Sequence, residues 1–476
     1  MTPLRFLLLL FAFAAAAPAP AQQQQPLQQQ VAAELAEAPA GTRFGLVVTD
    51  ETGRELVAIQ PDGRFIPASN VKLLTTAAAY AALGGLDGPD AAAGASVRLE
   101  GDARAPDVVL TGRGDARLSS ALDCVQNCLA ALADAVAART RRVRSVIGDD
   151  SLFPDERWAP GVSWEDLQER YGTAVSALTL DDNELVMRVA PGPIGAAPTI
   201  DAPAYFQVQN RAVTVAAGPA TLRYVRLPGS RIVQLSGTIA GGTAGQTIRL
   251  GIDDPAHYAA WRLGELLKAR GVKVTGRIEV RHRAPSAVLA AVAPEPAALA
   301  RLTPPPLAHG IVRINKESQN LYADLLLRRI GRIRGAGTID DGVAEVGSVL
   351  ARAGAPRTGW DLSDGSGLSV YNRVSPRAMV ALLRWASAQN WGEAWRATFP
   401  IAGVDGTLAR RFRGTPLERR LFAKTGTLNG TNALSGYLIA QSGRLLTFSF
   451  FANDVPAGGG ATAKMDEVLN LIAAAN

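Results

Sequence analysis

At 476 residues the chain is too long for one typical hydrophobic core, and two or three domains are expected. Its 47% hydrophobic and 19% charged residues exclude an intrinsically disordered chain, and a net charge of +6 spread over scattered arginines gives nucleic-acid binding no support. Two cysteines and three isolated histidines offer no zinc-ligand spacing, so neither a metal nor another cofactor is expected.

The N-terminus reads as a secretory signal. Arg5 supplies a positive start, Phe6 to Ala17 an apolar run, and Ala19-Pro20-Ala21 a cleavage site before Gln22. The run is short for a bilayer span, and no later stretch is long and apolar enough for one. The mature protein is therefore expected to be exported, soluble or loosely held at the envelope, and periplasmic where an outer membrane exists. Gln22 to Gln30 is a Gln/Pro-rich leader, with a helix from about Leu27 to Ala38 stopped by Pro39. Arg43 to Thr49 and Glu55 to Gln60 alternate as strands around a turn at Asp50-Glu51-Thr52-Gly53-Arg54. Pro67-Ala68 leads into a helix from Ser69 to Leu83, ended by Gly84-Gly85.

The character then changes. Val97 to Leu110 and Ser145 to Ser151 read as strands flanking an Ala-rich helix, Leu122 to Ala138. Cys124 and Cys128 fall inside that helix; a disulfide would require it to deform, and the sequence leaves the pairing open. The basic run Arg139 to Arg144 reads as a solvated helix end whose cations complement the dipole. Val186 to Leu250 is β-rich, Asp253 to Ala269 helical and Val272 to Val280 a strand. Helices follow at Leu321 to Ile333, Asp341 to Ala353 and Pro376 to Ala388. Strands are expected at Arg420 to Thr427, Ala433 to Ala440 and Leu445 to Asn453, before a closing helix at Ala461 to Ala475.

Two N-terminal and three C-terminal strands make a five-stranded antiparallel sheet with helices on both faces, an α/β (α+β) sandwich. The expected division is a signal at 1–21, a catalytic domain at 22–93 and 300–476, an inserted domain at 94–185 and 251–283, a small β-rich domain at 186–250 and a linker at 284–299.

Three separated segments suit serine-based acyl transfer. In Ser69-Asn70-Val71-Lys72, an i, i+3 pair on one helix face lets the amine reach the hydroxyl. Burial and the helix dipole should lower the lysine pKa, so that Lys72 takes the proton of the nucleophile Ser69. In Ser318-Gln319-Asn320, the Ser318 hydroxyl can relay a proton to the leaving nitrogen, and the Asn320 amide can bind substrate backbone. Capping of the next helix by Asn320 is the competing reading. In Lys424-Thr425-Gly426-Thr427, a strand-edge lysine and hydroxyls can bind a terminal carboxylate, with Gly426 leaving room for the substrate to lie against the strand. The backbone N–H groups of Ser69 and Thr427 would form the oxyanion hole. Ser318 and Lys424 are 106 residues apart, ordinary within one domain. Ser69 and Ser318 are about 250 residues apart, room for one or two more.

With these motifs stand Asn315-Lys316-Glu317-Ser318-Gln319-Asn320-Leu321-Tyr322, Asp364-Gly365-Ser366-Gly367-Leu368-Ser369 and Ala402-Gly403-Val404-Asp405-Gly406-Thr407-Leu408. Together they resemble the low-molecular-mass class C penicillin-binding proteins, the D-alanyl-D-alanine carboxypeptidase/endopeptidase family, over nearly all of the mature chain. Gln319 departs from the aspartate of the S-D-N version of the second motif. The resemblance implies a penicillin-binding, β-lactamase-like fold, peptidoglycan peptides as substrate, acylation of Ser69 and covalent inhibition by β-lactams. It assigns Tyr322, Asp364, Ser366 and Asp405 to shaping the pocket. It also implies that an acidic and an aromatic residue near Trp164-Glu165-Asp166-Leu167, here Asp166 and Tyr171, hold an amino-bearing substrate side chain; pairing within the insert is the alternative. Two other functions fit less well: a β-lactamase or esterase, disfavoured by the long insertion and the lack of a further deacylation carboxylate, and a non-catalytic wall-binding protein, disfavoured by the intact motifs.

Overall fold

The computed structural model describes residues 26–285 and 296–476. The expected signal segment and part of the expected linker lie outside these residues. Arg43–Thr49 and Glu55–Ile59 pair as a hairpin and join Leu445–Asn453, Thr431–Ile439 and Leu421–Leu428 in a five-stranded sheet, antiparallel throughout. Successive side chains of a strand point to opposite faces, and the apolar residues follow that rule. Phe448 and Phe450 pack towards helices Leu27–Ala36 and Ala461–Ala475. Phe451, Ala433 and Tyr437 face the other way, onto helices Val71–Ala82, Asn320–Gly331 and Pro376–Ser387. Two hydrophobic layers thus enclose one sheet, and helix Val71–Ala82 is buried in one of them along nine of its residues.

The chain between helices Val71–Ala82 and Asn320–Gly331 builds a second core. Ile278–Arg283, Val146–Pro154, Asp107–Thr111, Ser96–Glu100 and Ala300–Arg301 form a mixed sheet in that order, with helices Leu129–Arg139 and Pro255–Ala269 packed among the same buried residues. Three smaller sheets lie between residues 184 and 251, and their Met187, Phe206 and Leu235 share this core with Val97 and Leu110. One apolar cluster therefore runs through both regions expected to be separate inserts.

Three local expectations are revised. The helix expected from Leu122 starts at Leu129. Cys124 and Cys128 are disulfide-bonded, and Asn127, left-handed at φ +61°, donates its side-chain amide to Asp115 Oδ2 at 2.5 Å. A left-handed residue cannot continue a right-handed helix, so the loop ends there. Leu307–Lys316 is a helix not foreseen, its propensity hidden behind Pro304-Pro305-Pro306. Ala300–Arg301, expected in the catalytic half, pairs instead with Ser96 and Val97 at the edge of the second sheet.

Phe451 is fully buried and stacks near Phe65 at 5.9 Å between centroids. Phe451→Ala is expected to cost about 3–5 kcal/mol in denaturant titration of the first core; a loss below ~1 kcal/mol would show that this layer does not carry the sandwich.

Candidate active site

Ser69 sits in a tight turn, Ala68–Asn70, that opens helix Val71–Ala82. The turn is held from two sides. Asn70 donates to the Lys424 carbonyl at 2.9 Å, tying the start of the helix to the edge strand. Gly367 lies so close that a Cβ there would fall 1.9 Å from the Ala68 carbonyl oxygen, and its φ is +84°. Ala68 itself is left-handed at φ +46°, and Ser318 at φ +62°. Such conformations cost non-glycine residues about 1–3 kcal/mol and persist where the surroundings over-determine them.

Lys72 has no exposed surface. Its ammonium donates to Ser69 Oγ at 2.8 Å, Asn320 Oδ1 at 2.6 Å and the Ser366 carbonyl at 2.6 Å, which uses all three of its hydrogens. Burial pushes its pKa down to about 8, against the charges of Asp324 and Asp364, which favour protonation. Asp324 is moved the other way, up to about 7, by burial and then by the charge of Asp364. Its Oδ1 accepts from the Gly365 N–H at 2.8 Å. Asp364 gathers the N–H groups of Gly367 and Ser369 and the Asn372 amide at 2.7–2.8 Å. The Asp364–Ser369 loop is thereby fixed and presents the Ser366 carbonyl to Lys72.

The second and third motifs meet beside this pair. Lys424 donates to Ser318 Oγ and to the Thr425 carbonyl, each at 2.9 Å. It is fully buried, and burial together with the neighbouring Lys72 charge holds its pKa well below the usual lysine value. Thr425 Oγ1 donates to Thr407 Oγ1 at 2.6 Å, and Thr427 is exposed. Lys316 pairs with Asp405, whose other oxygen accepts from the Ile401 N–H at 2.9 Å. This bolts the 401–407 turn to the segment that carries Ser318.

All three motifs converge, with several changes in detail. Lys424 points inward at Ser318 rather than projecting from the strand edge. Gly426 leaves space for protein, since a Cβ there would meet the Pro67 carbonyl at 2.8 Å and Ala68 Cβ at 3.1 Å. Ser318 Oγ bonds to Lys424, while Lys72 spends its third hydrogen on Ser366. Asn320 is the first residue of its helix and makes no cap; its amide spans from Lys72 to the Tyr171 carbonyl, with Nδ2 to O at 2.8 Å. Tyr171 OH in turn donates to Asp166 Oδ1 at 3.0 Å. Tyr322 sits away from this centre, donating to Asp182 at 2.9 Å beside Arg313. Tyr171, Trp158, Asn320, Asp324, Asp364 and Leu368 line a cleft between the inserted segment and helix Asn320–Gly331. Among the described residues, no three His, Cys, Asp or Glu side chains cluster as a metal site.

A buried amine on a serine hydroxyl, flanked by a second serine–lysine pair, is an arrangement suited to acyl transfer. Residues 27–472 match a model of the D-Ala-D-Ala carboxypeptidase 3 (S13) family. The chain belongs to that family. It is 35% identical over 449 residues to the D-alanyl-D-alanine carboxypeptidase of Actinomadura sp. (strain R39), covering 90% of this chain and 81% of that one. It is 24% identical over 434 residues to D-alanyl-D-alanine carboxypeptidase DacB of Haemophilus influenzae, covering 88% and 87%. The crystal structure of penicillin binding protein 4 (dacB) from H. influenzae matches with a TM-score of 0.78 at 22% identity, over 93% of this chain and 98% of that one. The S13 fold is thus shared along nearly the whole length, insertion included.

Asp324 is not among the residues the three motifs single out. It lies four residues after Asn320, on the same helix face, and that spacing was the available signal. Because the Asp324 charge favours protonated Lys72, its removal must lower the Lys72 pKa. NMR titration of lysine side chains in Asp324→Asn should place Lys72 below its wild-type value of about 8; an unchanged or higher value would contradict this electrostatic coupling.

Proposed function

We propose that the protein is an exported serine D-Ala-D-Ala peptidase that acts on peptidoglycan stem peptides through an acyl-enzyme on Ser69. One observation carries the reading: the Lys72 amine, buried and near pKa 8, donates to Ser69 Oγ at 2.8 Å. At pH 7 roughly a tenth of such an amine is neutral, enough to act as a base.

The chemistry follows from that pair. Neutral Lys72 takes the Ser69 proton as Oγ forms a bond to the carbonyl carbon of the penultimate D-alanine. The backbone N–H groups of Ser69 and Thr427 hold the developing oxyanion, each such donor typically worth about 3–4 kcal/mol. The C–N bond then breaks, and the Ser318 hydroxyl, recharged from Lys424, protonates the departing amine of the terminal residue. Lys72 then passes on the proton it took from Ser69, which reloads Lys424; neutral again, it takes a proton from the attacking water as the ester C–O bond breaks and returns that proton to Ser69 Oγ. The substrate carboxylate lies by Thr425 and Thr427 with Lys424 behind them. Its negative charge raises the proton affinity of Lys424, so substrate binding helps load the ammonium that feeds Ser318. Asn320 orients the substrate amide, and Asp166 and Tyr171 at the cleft mouth receive a side-chain ammonium. A β-lactam enters the same centre as an amide and leaves Ser69 acylated. A relative of the same fold from H. influenzae has been crystallised with a novel β-lactam. Among the described residues no helix is long and apolar enough to cross a membrane.

Fluorescent penicillin should label the wild type and not Ser69→Ala, while Lys72→Ala folds but loses at least about 10³-fold in acylation rate. Absence of label on the wild type would end this reading. The acylation rate should rise with pH as Lys72 deprotonates and fall again where Lys424 loses the proton that feeds Ser318; a profile with no rising limb would remove Lys72 as the base. Assay on a D-Ala-D-Ala pentapeptide and on a cross-linked dimer separates carboxypeptidase from endopeptidase action, and hydrolysis of neither would overturn the substrate assignment.

A further inference from the structure

The wall of the cleft that touches Asn320 is a short segment, residues 164–172, with little hydrophobic anchorage of its own. Of its side chains none is fully buried, and Trp164 and Tyr171 are 57% and 45% exposed. Its backbone turns so tightly that a Cβ on Gly172 would fall 2.0 Å from the Asp166 carbonyl. Such a segment needs outside support to keep one conformation.

That support comes from the small β-region. Arg226, immediately after strand Arg223–Val225, is 2% exposed. Its Nη2 donates to the Leu167 and Gly251 carbonyls, each at 3.1 Å, and lies 2.6 Å from Asp253 Oδ1. Its own N–H donates to Gln168 Oε1 at 2.9 Å. Two residues earlier, Tyr224 OH donates to Glu169 Oε2 at 2.5 Å. Glu169 also bridges by backbone to Leu250, where the approach is close enough that a Cβ on Gly251 would meet the Glu169 carbonyl at 2.6 Å. Three consecutive residues of the wall, Leu167, Gln168 and Glu169, are therefore gripped from one side. The opposite end delivers the Tyr171 carbonyl to Asn320, whose other amide atom holds Lys72.

We propose that the small β-region is a clamp: Arg226 and Tyr224 are positioning residues that fix the 164–172 wall, and through the Tyr171 carbonyl they set the orientation of Asn320 against Lys72 and the substrate. A carboxamide has its donor and acceptor fixed on one plane, so a displaced Tyr171 carbonyl lets Asn320 rotate away from Lys72. The inference rests on the reading of the centre given above. It gives the inserted β-region a part in turnover rather than in folding alone.

The test uses the full-length protein with Tyr224→Phe, which removes one hydroxyl, and with Arg226→Met and Arg226→Lys. Hydrogen exchange over 164–172, melting temperature, and kcat and KM on a D-Ala-D-Ala peptide with a free side-chain amine are read together. Tyr224→Phe should speed exchange in the wall and lower kcat/KM by about tenfold, with the melting temperature unchanged. Arg226→Met should lower it further, and Arg226→Lys, which keeps a donor, should recover part of the loss. Full kcat/KM in a variant whose wall exchanges faster would overturn the clamp, as would an unchanged exchange rate in Tyr224→Phe. A loss that tracks only a fall in melting temperature would overturn it too. Wild-type protein that takes no penicillin on Ser69 would instead strike the reading of the centre itself, so the two failures are distinguishable.

Discussion

A lysine ammonium taken out of water must have its hydrogens satisfied or give one up. Lys72 does the first in the resting protein, on Ser69, Asn320 and the Ser366 carbonyl. Its lowered pKa keeps the second within reach near neutrality. The rest of the structure follows from that requirement. The helix beginning at Val71 brings the amine inside, the Asp364–Ser369 loop supplies a carbonyl, and helix Asn320–Gly331 supplies an amide. These partners come from three places distant in sequence, and only the folded sandwich assembles them. The two buried acids, Asp324 and Asp364, oppose the desolvation, so the lysine is poised between charge states rather than forced into one.

The inserted region is tied to the first core by Ala116, Phe153 and Ala177, which are buried in it, and by polar contacts. Asp182 receives Arg313 and Tyr322, Asp90 receives Arg329 and Arg117, and Glu156 pairs with the buried Arg328. Polar seams of this kind are the norm between domains of one chain. Here the seam runs along helices Leu307–Lys316 and Asn320–Gly331, which flank Ser318 and carry Asn320. The insert is thus joined to the sandwich at the elements that carry the second motif. Its wall at 164–172 closes the cleft beside them.

Much of this was legible in the chain. The five strands of the first sheet and most of its helices appear within one or two residues of their expected ends, because alternating apolar residues and clear turn signals mark them. The three segments that converge around Lys72 and Lys424 were legible through residue type and spacing. Orientation was not. Nothing in Lys424-Thr425-Gly426-Thr427 says that Lys424 points inward to Ser318, since that depends on the edge strand packing against the Pro67-Ala68 turn. The pairing of Cys124 with Cys128 depended on a left-handed Asn127 held by Asp115, twelve residues away. Asp324 is marked only by its spacing from Asn320; its importance comes from burial beside Lys72 and Asp364, which only tertiary packing creates.

The central claim is that D-alanine leaves as Ser69 is acylated. Single-turnover mixing with a D-Ala-D-Ala peptide, acid quench and mass spectrometry of the digested protein test it most directly. The Ser69-containing fragment should gain the mass of the peptide less that of the released D-alanine, at the rate at which D-alanine is released. Release of D-alanine with no adduct on that fragment, or an adduct on Ser318 or Ser366 instead, would contradict the account.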